Sequence, residues 1–125
     1  DYDMIVLPGG MPGSAHLRDN QSLMQELQSF EQEGKKLAAI CAASIALNQA
    51  GVLKNKQYTC YDGVQEQILD GQYVKEAVVV DGHLTTSRGP STALAFAYEL
   101  VDQLGGDSET LRTGMLYRDV FGKNQ

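Results

Sequence analysis

Residues 35–47 read KKLAAICAASIAL and contain the side chain best suited to chemistry, the thiol of Cys41. An apolar run of strand length ends on it, and the small residues Ala42, Ala43 and Ser44 follow. A cysteine where a strand turns into a helix is lifted out of the sheet toward solvent. There it meets the unpaired N–H groups and the positive dipole end of the helix, which favour a thiolate. The N–H of Ala42 and one from the Gly9-Gly10 turn are placed to hold an oxyanion together, either of a substrate carbonyl or of an oxidised sulfur. Gly9 and Gly10 lack side chains and so permit the close approach this requires.

The positions two before and two after the thiol are Ala39 and Ala43. A sharp strand-to-helix turn brings those positions together, which is why serine hydrolases of one large fold write it G-x-S-x-G; alanine is small enough to serve. The competing reading of any single cysteine is a small core hydrophobe. That reading suits Cys60, which is placed inside a strand with no small-residue turn behind it. His83 falls in a hairpin turn and is read as solvated; His16 follows a Gly/Pro loop and is read as an exposed loop residue. Neither is spaced to serve Cys41 as a base. The cysteines and histidines show no metal-ligand spacing, and the cluster Gly9, Gly10, Gly13 does not complete a G-x-x-x-x-G-K-[ST] phosphate loop, so neither metal nor cofactor is expected.

The elements that must position these residues follow from apolar periodicity. Residues 4–7 are a continuous apolar run closed by Pro-Gly-Gly, the pattern of a strand covered on both faces. Leu23, Met24, Leu27 and Phe30 recur at helical spacing over 22–34, with Gly34 as a stop. A second strand is predicted over 36–40, a short helix over 44–50, a third strand over 57–61, and one or two helical turns over 64–69. Residues 74–80 and 84–87, joined by Asp81-Gly82-His83, form the one antiparallel hairpin. Pro90 opens a helix whose apolar residues, from Ala93 to Leu104, lie on nearly all sides and predict deep burial; a last amphipathic helix is predicted over 108–121. Strands alternating with helices give an α/β class with a mostly parallel sheet and helices on both faces, as a single domain over 1–125.

In such sheets a site forms beyond the carboxyl ends of the strands. Three clusters stand there: Pro8-Gly9-Gly10, Cys41-Ala42-Ala43 and Ser87-Arg88-Gly89-Pro90. Composition removes other classes of function. The net charge is -6 and the ten Lys and Arg residues are scattered, so the footprint of a nucleic-acid binder is missing. No apolar run reaches the roughly 18 to 20 residues of a membrane-spanning helix. Two cysteines fit a reducing compartment, and a cytoplasmic protein is expected. The chain starts Asp1-Tyr2-Asp3 and enters its first apolar run at once, which reads as a longer polypeptide cut within its domain.

Four segments, DYDMIVLPGG at the start, AAICAA at the turn, YTCY after it and DGHLTTSRGP near the end, resemble in order and spacing the ThiJ/PfpI superfamily, in its DJ-1-like branch. The resemblance spans essentially the whole chain. It implies a flavodoxin-like three-layer α/β sandwich and a homodimer, with Cys41 as nucleophile or redox-sensitive thiol. It also implies that Gly10 and Ala42 supply the N–H pair, and that Gly9, Tyr61, Ser87 and Arg88 border the pocket. The branch further uses a carboxylic acid beside the sulfur, carried by an N-terminal strand and helix of the same polypeptide that have no counterpart in this chain; a Glu within hydrogen-bond reach of Cys41 is expected there.

Two departures narrow the function. Protease-like relatives place His directly after the nucleophile, where this chain has Ala42, which removes the base of a peptidase triad. Tyr61 stands where some relatives have His, and a phenol is a poor base near neutral pH. The resemblance then supports a glyoxalase-like or deglycase-like enzyme acting on small reactive carbonyls in stress protection. The alternative is a non-enzymatic redox sensor or chaperone-like stress protein working through oxidation of Cys41. A role in thiamine biosynthesis finds no support in the residues.

Overall fold

A computed structural model describes residues 2–122; Asp1, where the expectation of a cut chain rests, and residues 123–125 lie outside the described residues. Strand β1 (Met4–Leu7) leads through α1 (Gly13–Arg18) and α2 (Gln21–Glu33) to β2 (Lys36–Ile40), and a 3-10 turn at Cys41–Ala43 runs into α3 (Ser44–Gln49). Two-residue strands β3 (Gln57–Tyr58) and β4 (Gln72–Tyr73) come next, followed by β5 (Val78–Asp81), β6 (Leu84–Ser87), α4 (Ala93–Gln103), α5 (Ser108–Gly114) and α6 (Tyr117–Phe121). The main sheet has the order β1-β2-β6-β5, with β1, β2 and β6 parallel and β5 antiparallel to β6.

The alternation of β2 builds the three layers. Leu37 and Ala39 face a core shared with Met24, Leu27 and Phe30 of α2 and Ile45 and Leu47 of α3, while Ala38 and Ile40 face Phe96 and Leu100 of α4. Helix α2 begins where the Asn20 side chain accepts from the N–H of Leu23 at 3.0 Å and ends at Gly34, whose φ of 70° is the left-handed stop its position in sequence suggests. The hairpin turns through Gly82, at φ 61°, with Asp81 paired to Leu84. Among the described residues, no helix is long and apolar enough to cross a membrane.

Five expectations need correction. The first strand is not covered on both faces: Val6 is 44% exposed at the sheet's edge, on the side served by α4. The third strand stops at Tyr58 and pairs with β4 outside the main sheet, because its backbone bonds to side chains: the N–H of Gln57 to Asp81 Oδ2 at 2.7 Å and that of Thr59 to Thr86 Oγ1 at 2.8 Å. Helix α4 is not buried on nearly all sides: Phe96 and Leu100 face the sheet and Tyr98, on the far side, packs against Tyr117, while Leu94 and Leu104 stay exposed. The last predicted helix breaks in two at Leu116, which takes φ 63° between α5 and α6. His16 sits in the short helix α1 rather than a loop, though it is exposed as expected.

Candidate functional site

Strand β2 is pinned on both faces by the fully buried Leu37, Ala38 and Ala39, so the chain has no freedom to drift before it turns. Ile40 still has extended backbone (φ -127°), and Cys41 then takes φ 64°, a left-handed conformation that costs an L-residue ~1 kcal/mol or more and persists only when its surroundings enforce it. The enforcement is visible on three sides. Ala39 and Ala43 are fully buried beneath the turn. The carbonyl of Cys41 accepts from the N–H of Tyr61 at 3.1 Å. Gly9 closes on it so tightly that a Cβ there would stand 2.5 Å from Cys41 Cβ, 3.0 Å from the Ile40 oxygen and 3.4 Å from the sulfur.

The segment carrying Tyr61 is itself clamped. Ser44 Oγ donates to the Thr59 carbonyl at 3.1 Å, and the Thr59 N–H donates to Thr86 Oγ1 at 2.8 Å, all in buried surroundings. The strand-to-helix turn, the 59–61 segment and β6 are thus tied by side-chain bonds that no spacing in the sequence announces. Ser44, read above only as the start of a helix, is one of the ties.

Cys41 is half-buried and stands in the wall of a hollow of about 310 Å³ with Gly9, Gly10, Ile40, Gly89, Pro90 and Ala93. Ala42 is buried and is not a wall residue. Ser87 is fully buried: its hydroxyl donates to the Ala77 carbonyl at 2.7 Å and lies 2.7 Å from Thr92 Oγ1, which accepts the Gly89 N–H at 3.0 Å. Its work is to hold the Gly89-Pro90 turn. Tyr61 and Arg88 line an adjoining hollow together with Asp62 and Ser91. Ile40 and Ala93 are wall residues that sequence reasoning missed; they mark the ends of a strand and a helix that converge on the thiol.

The other candidates line neither hollow. Cys60 is fully buried with its sulfur 3.9 Å from Gln65 Oε1, and burial pushes its thiol up to about 11. His83 is not free in solvent: its Nε2 lies 2.7 Å from Glu31 Oε2, whose other oxygen is 3.6 Å from Lys56 Nζ. It precedes β6, at the opposite end of that strand from Arg88. A larger polar hollow of about 380 Å³, lined by Asn55, Lys56, Gln57, Gly71 and Gln72, contains no thiol or imidazole, so volume alone does not mark the site. Among the described residues, no group of three or more His, Cys, Asp or Glu could hold a metal ion.

The open, mostly parallel sheet with helices on both faces and a sharp strand-to-helix turn after β2 defines the class of fold. The chain belongs to the DJ-1/PfpI family, whose profile matches residues 1–103. It is 40% identical over 107 residues to protein dj-1beta of Drosophila melanogaster, a match covering 84% of this chain and 57% of that protein. It is 32% identical over 111 residues to glutathione-independent glyoxalase DJR-1.2 of Caenorhabditis elegans, covering 87% of this chain and 59% of the other. The crystal structure of Drosophila melanogaster DJ-1beta superposes with a TM-score of 0.89 at 38% identity, over 93% of this chain and 64% of that one. The chain thus spans less than two thirds of each of these relatives.

Proposed function

We propose that the protein disposes of small reactive carbonyl compounds by nucleophilic addition of Cys41. The observation that carries this reading is the conformation of Cys41 itself: strained at φ 64°, set against Gly9, and half-exposed in the wall of a hollow rather than sunk in the core like Cys60. Relatives named as glutathione-independent glyoxalases, in Caenorhabditis elegans and Schizosaccharomyces pombe, support the choice of substrate class.

In this reading the sulfur of Cys41 adds to the aldehyde carbon of glyoxal. A C–S bond forms and the carbonyl oxygen gains a proton, giving a hemithioacetal. A base removes the proton from that carbon and returns one to the neighbouring carbonyl carbon, leaving a thioester that water hydrolyses to glycolate and free thiol. One carbon is oxidised and its neighbour reduced, so no outside oxidant is required. The N–H groups of Gly10 and Ala42 steady the oxyanion, and the base is a Glu on a segment preceding this chain, within a homodimer.

The test is glyoxal consumption by the intact protein, followed over many turnovers, with Cys41→Ser beside it. Sustained turnover that vanishes in the variant supports the enzyme. Consumption that stops at one equivalent, or survives the substitution, sinks it. A second reading, a redox sensor, is favoured by the contrast between the half-exposed Cys41 and the fully buried Cys60, which would confine oxidation to one sulfur. Stoichiometric sulfinic acid at Cys41 without turnover is its signature.

A further inference from the structure

The hollow beside Cys41 has a charged neighbour. Gly89 and Pro90 are walls of both it and a second hollow of about 180 Å³, which Tyr61, Asp62, Arg88 and Ser91 complete. The first is lined by apolar side chains and glycines around the thiol; the second holds a cation and an anion. The ridge between them is low at Gly89, where even a methyl group would press on the Tyr61 ring at 3.3 Å.

The two charges are not equally placed. The Arg88 side chain is 18% exposed and its guanidinium lies 6.0 Å from the centroid of the Tyr73 ring, whereas the Asp62 carboxylate is 79% exposed and reaches it only at 3.5 Å. A long pair with so exposed a partner contributes little, and the carboxylate can swing away into water. Arg88 is the settled member: a planar cation matched to carboxylates, with a displaceable partner. On a chain of net charge -6, anions gather only where a local cation calls them.

We infer that Arg88 determines specificity by binding the anionic end of a carbonyl substrate whose reactive end stands at Cys41. This rests on the carbonyl chemistry proposed above and names its substrate class: α-oxoaldehydes carrying a terminal carboxylate two or three carbons away. The carboxylate displaces Asp62 from Arg88 while the aldehyde occupies the apolar hollow across the Gly89-Pro90 ridge. With 4,5-dioxopentanoate the aldehyde carbon is oxidised, the ketone carbon is reduced and water supplies the oxygen, so the product is 2-hydroxyglutarate.

The experiment compares 4,5-dioxopentanoate with 2-oxopentanal, its uncharged counterpart of equal chain length, on the intact protein. A kcat/KM at least about tenfold higher for the carboxylated compound, expressed in KM, is expected. Arg88→Gln should bring the ratio to about one, and Asp62→Asn, which frees the guanidinium, should raise it. Equal values in the unsubstituted protein, or an undiminished ratio in Arg88→Gln, overturn the assignment. If neither compound turns over, the carbonyl reading fails, and the anion subsite is judged separately. 4-Oxopentanoate, which has the tail but no aldehyde, should slow alkylation of Cys41 by iodoacetamide severalfold in the unsubstituted protein and in Asp62→Asn but not in Arg88→Gln, and pentan-2-one should slow none of them. No protection by 4-oxopentanoate disproves the subsite.

Discussion

Replacing Gly9 by alanine tests whether the approach of the Pro8-Gly9-Gly10 turn holds the thiol in place. The added methyl would lie 2.5 Å from Cys41 Cβ and 3.0 Å from the Ile40 carbonyl oxygen, and neither atom can rotate away because both are fixed by the backbone of the strained turn. Gly9 is not among the glycines with positive φ, so alanine meets no backbone penalty there and the whole cost is steric. Overpacking of this kind costs ~1–3 kcal/mol, and the lower chain entropy of unfolded alanine offsets ~0.4–1 kcal/mol of that. A net loss of ~1–2 kcal/mol is expected, about a five- to thirtyfold fall in the folding equilibrium. The larger effect should fall on the sulfur, since the clash is relieved by moving Cys41. A displacement of about 1 Å can cost on the order of a hundredfold in a positioned reaction. Urea denaturation gives the first quantity; glyoxal turnover, beside iodoacetamide alkylation mapped to Cys41, gives the second. Gly114→Ala is the control, because a methyl there has nothing within 4 Å and the residue, at the end of α5, lines no part of the hollow. If Gly9→Ala unfolds with the parent protein and leaves both rates unchanged, the turn does not position the thiol and the steric argument is wrong.

Two further outcomes follow from the same packing. Burial raises the Cys60 thiol from 9.0 to about 11, so the folded state keeps a proton there that the unfolded chain releases; stability from this group is complete below pH 9 and is lost as pH rises through 11, by up to ~2–3 kcal/mol. Cys60→Ala should flatten that part of a pH series of urea midpoints, and alkylation of the folded protein at pH 8 should label Cys41 and spare Cys60. Thr86→Val keeps the shape of a fully buried side chain but strands the Thr59 N–H that now donates to it at 2.8 Å, an orphaned buried donor costing ~1–3 kcal/mol, read as a lower urea midpoint; an unchanged midpoint would mean that the 59–61 segment does not depend on β6.

How much of this was legible beforehand depends on how far apart in the chain the determining atoms lie. The strand-to-helix turn is written locally: a short apolar run, one thiol, small residues on either side, and a Pro-Gly-Gly turn whose glycine the turn needs in order to close. The hairpin and helix α2 are local in the same sense, set by Asp81-Gly82 and by a 3.6-residue stripe between Asn20 and Gly34. What misled was long-range. Tyr58, Thr59 and Cys60 look like a sheet strand because they are β-favouring and buried, but Tyr58 and Cys60 are buried in the core with Leu37 and Leu47, and the backbone of Gln57 and Thr59 bonds the side chains of Asp81, Thr86 and Ser44 where a neighbouring strand would have bonded. His83 looks solvated in its turn because the carboxylate that pairs with it, on Glu31, lies 52 residues away. Ser87 and Arg88 are adjacent in one motif, yet the alternation of β6 and the turn after it point the first into the interior, to brace Thr92, and bring the second beside Tyr61. A motif therefore identifies which chain segments meet at the strand ends, and only the fold decides which of their side chains face the hollow. Cys41 and Arg88 are both placed at the strand ends by their motifs, and the structure adds that they line two adjoining hollows with the Gly89-Pro90 turn between them.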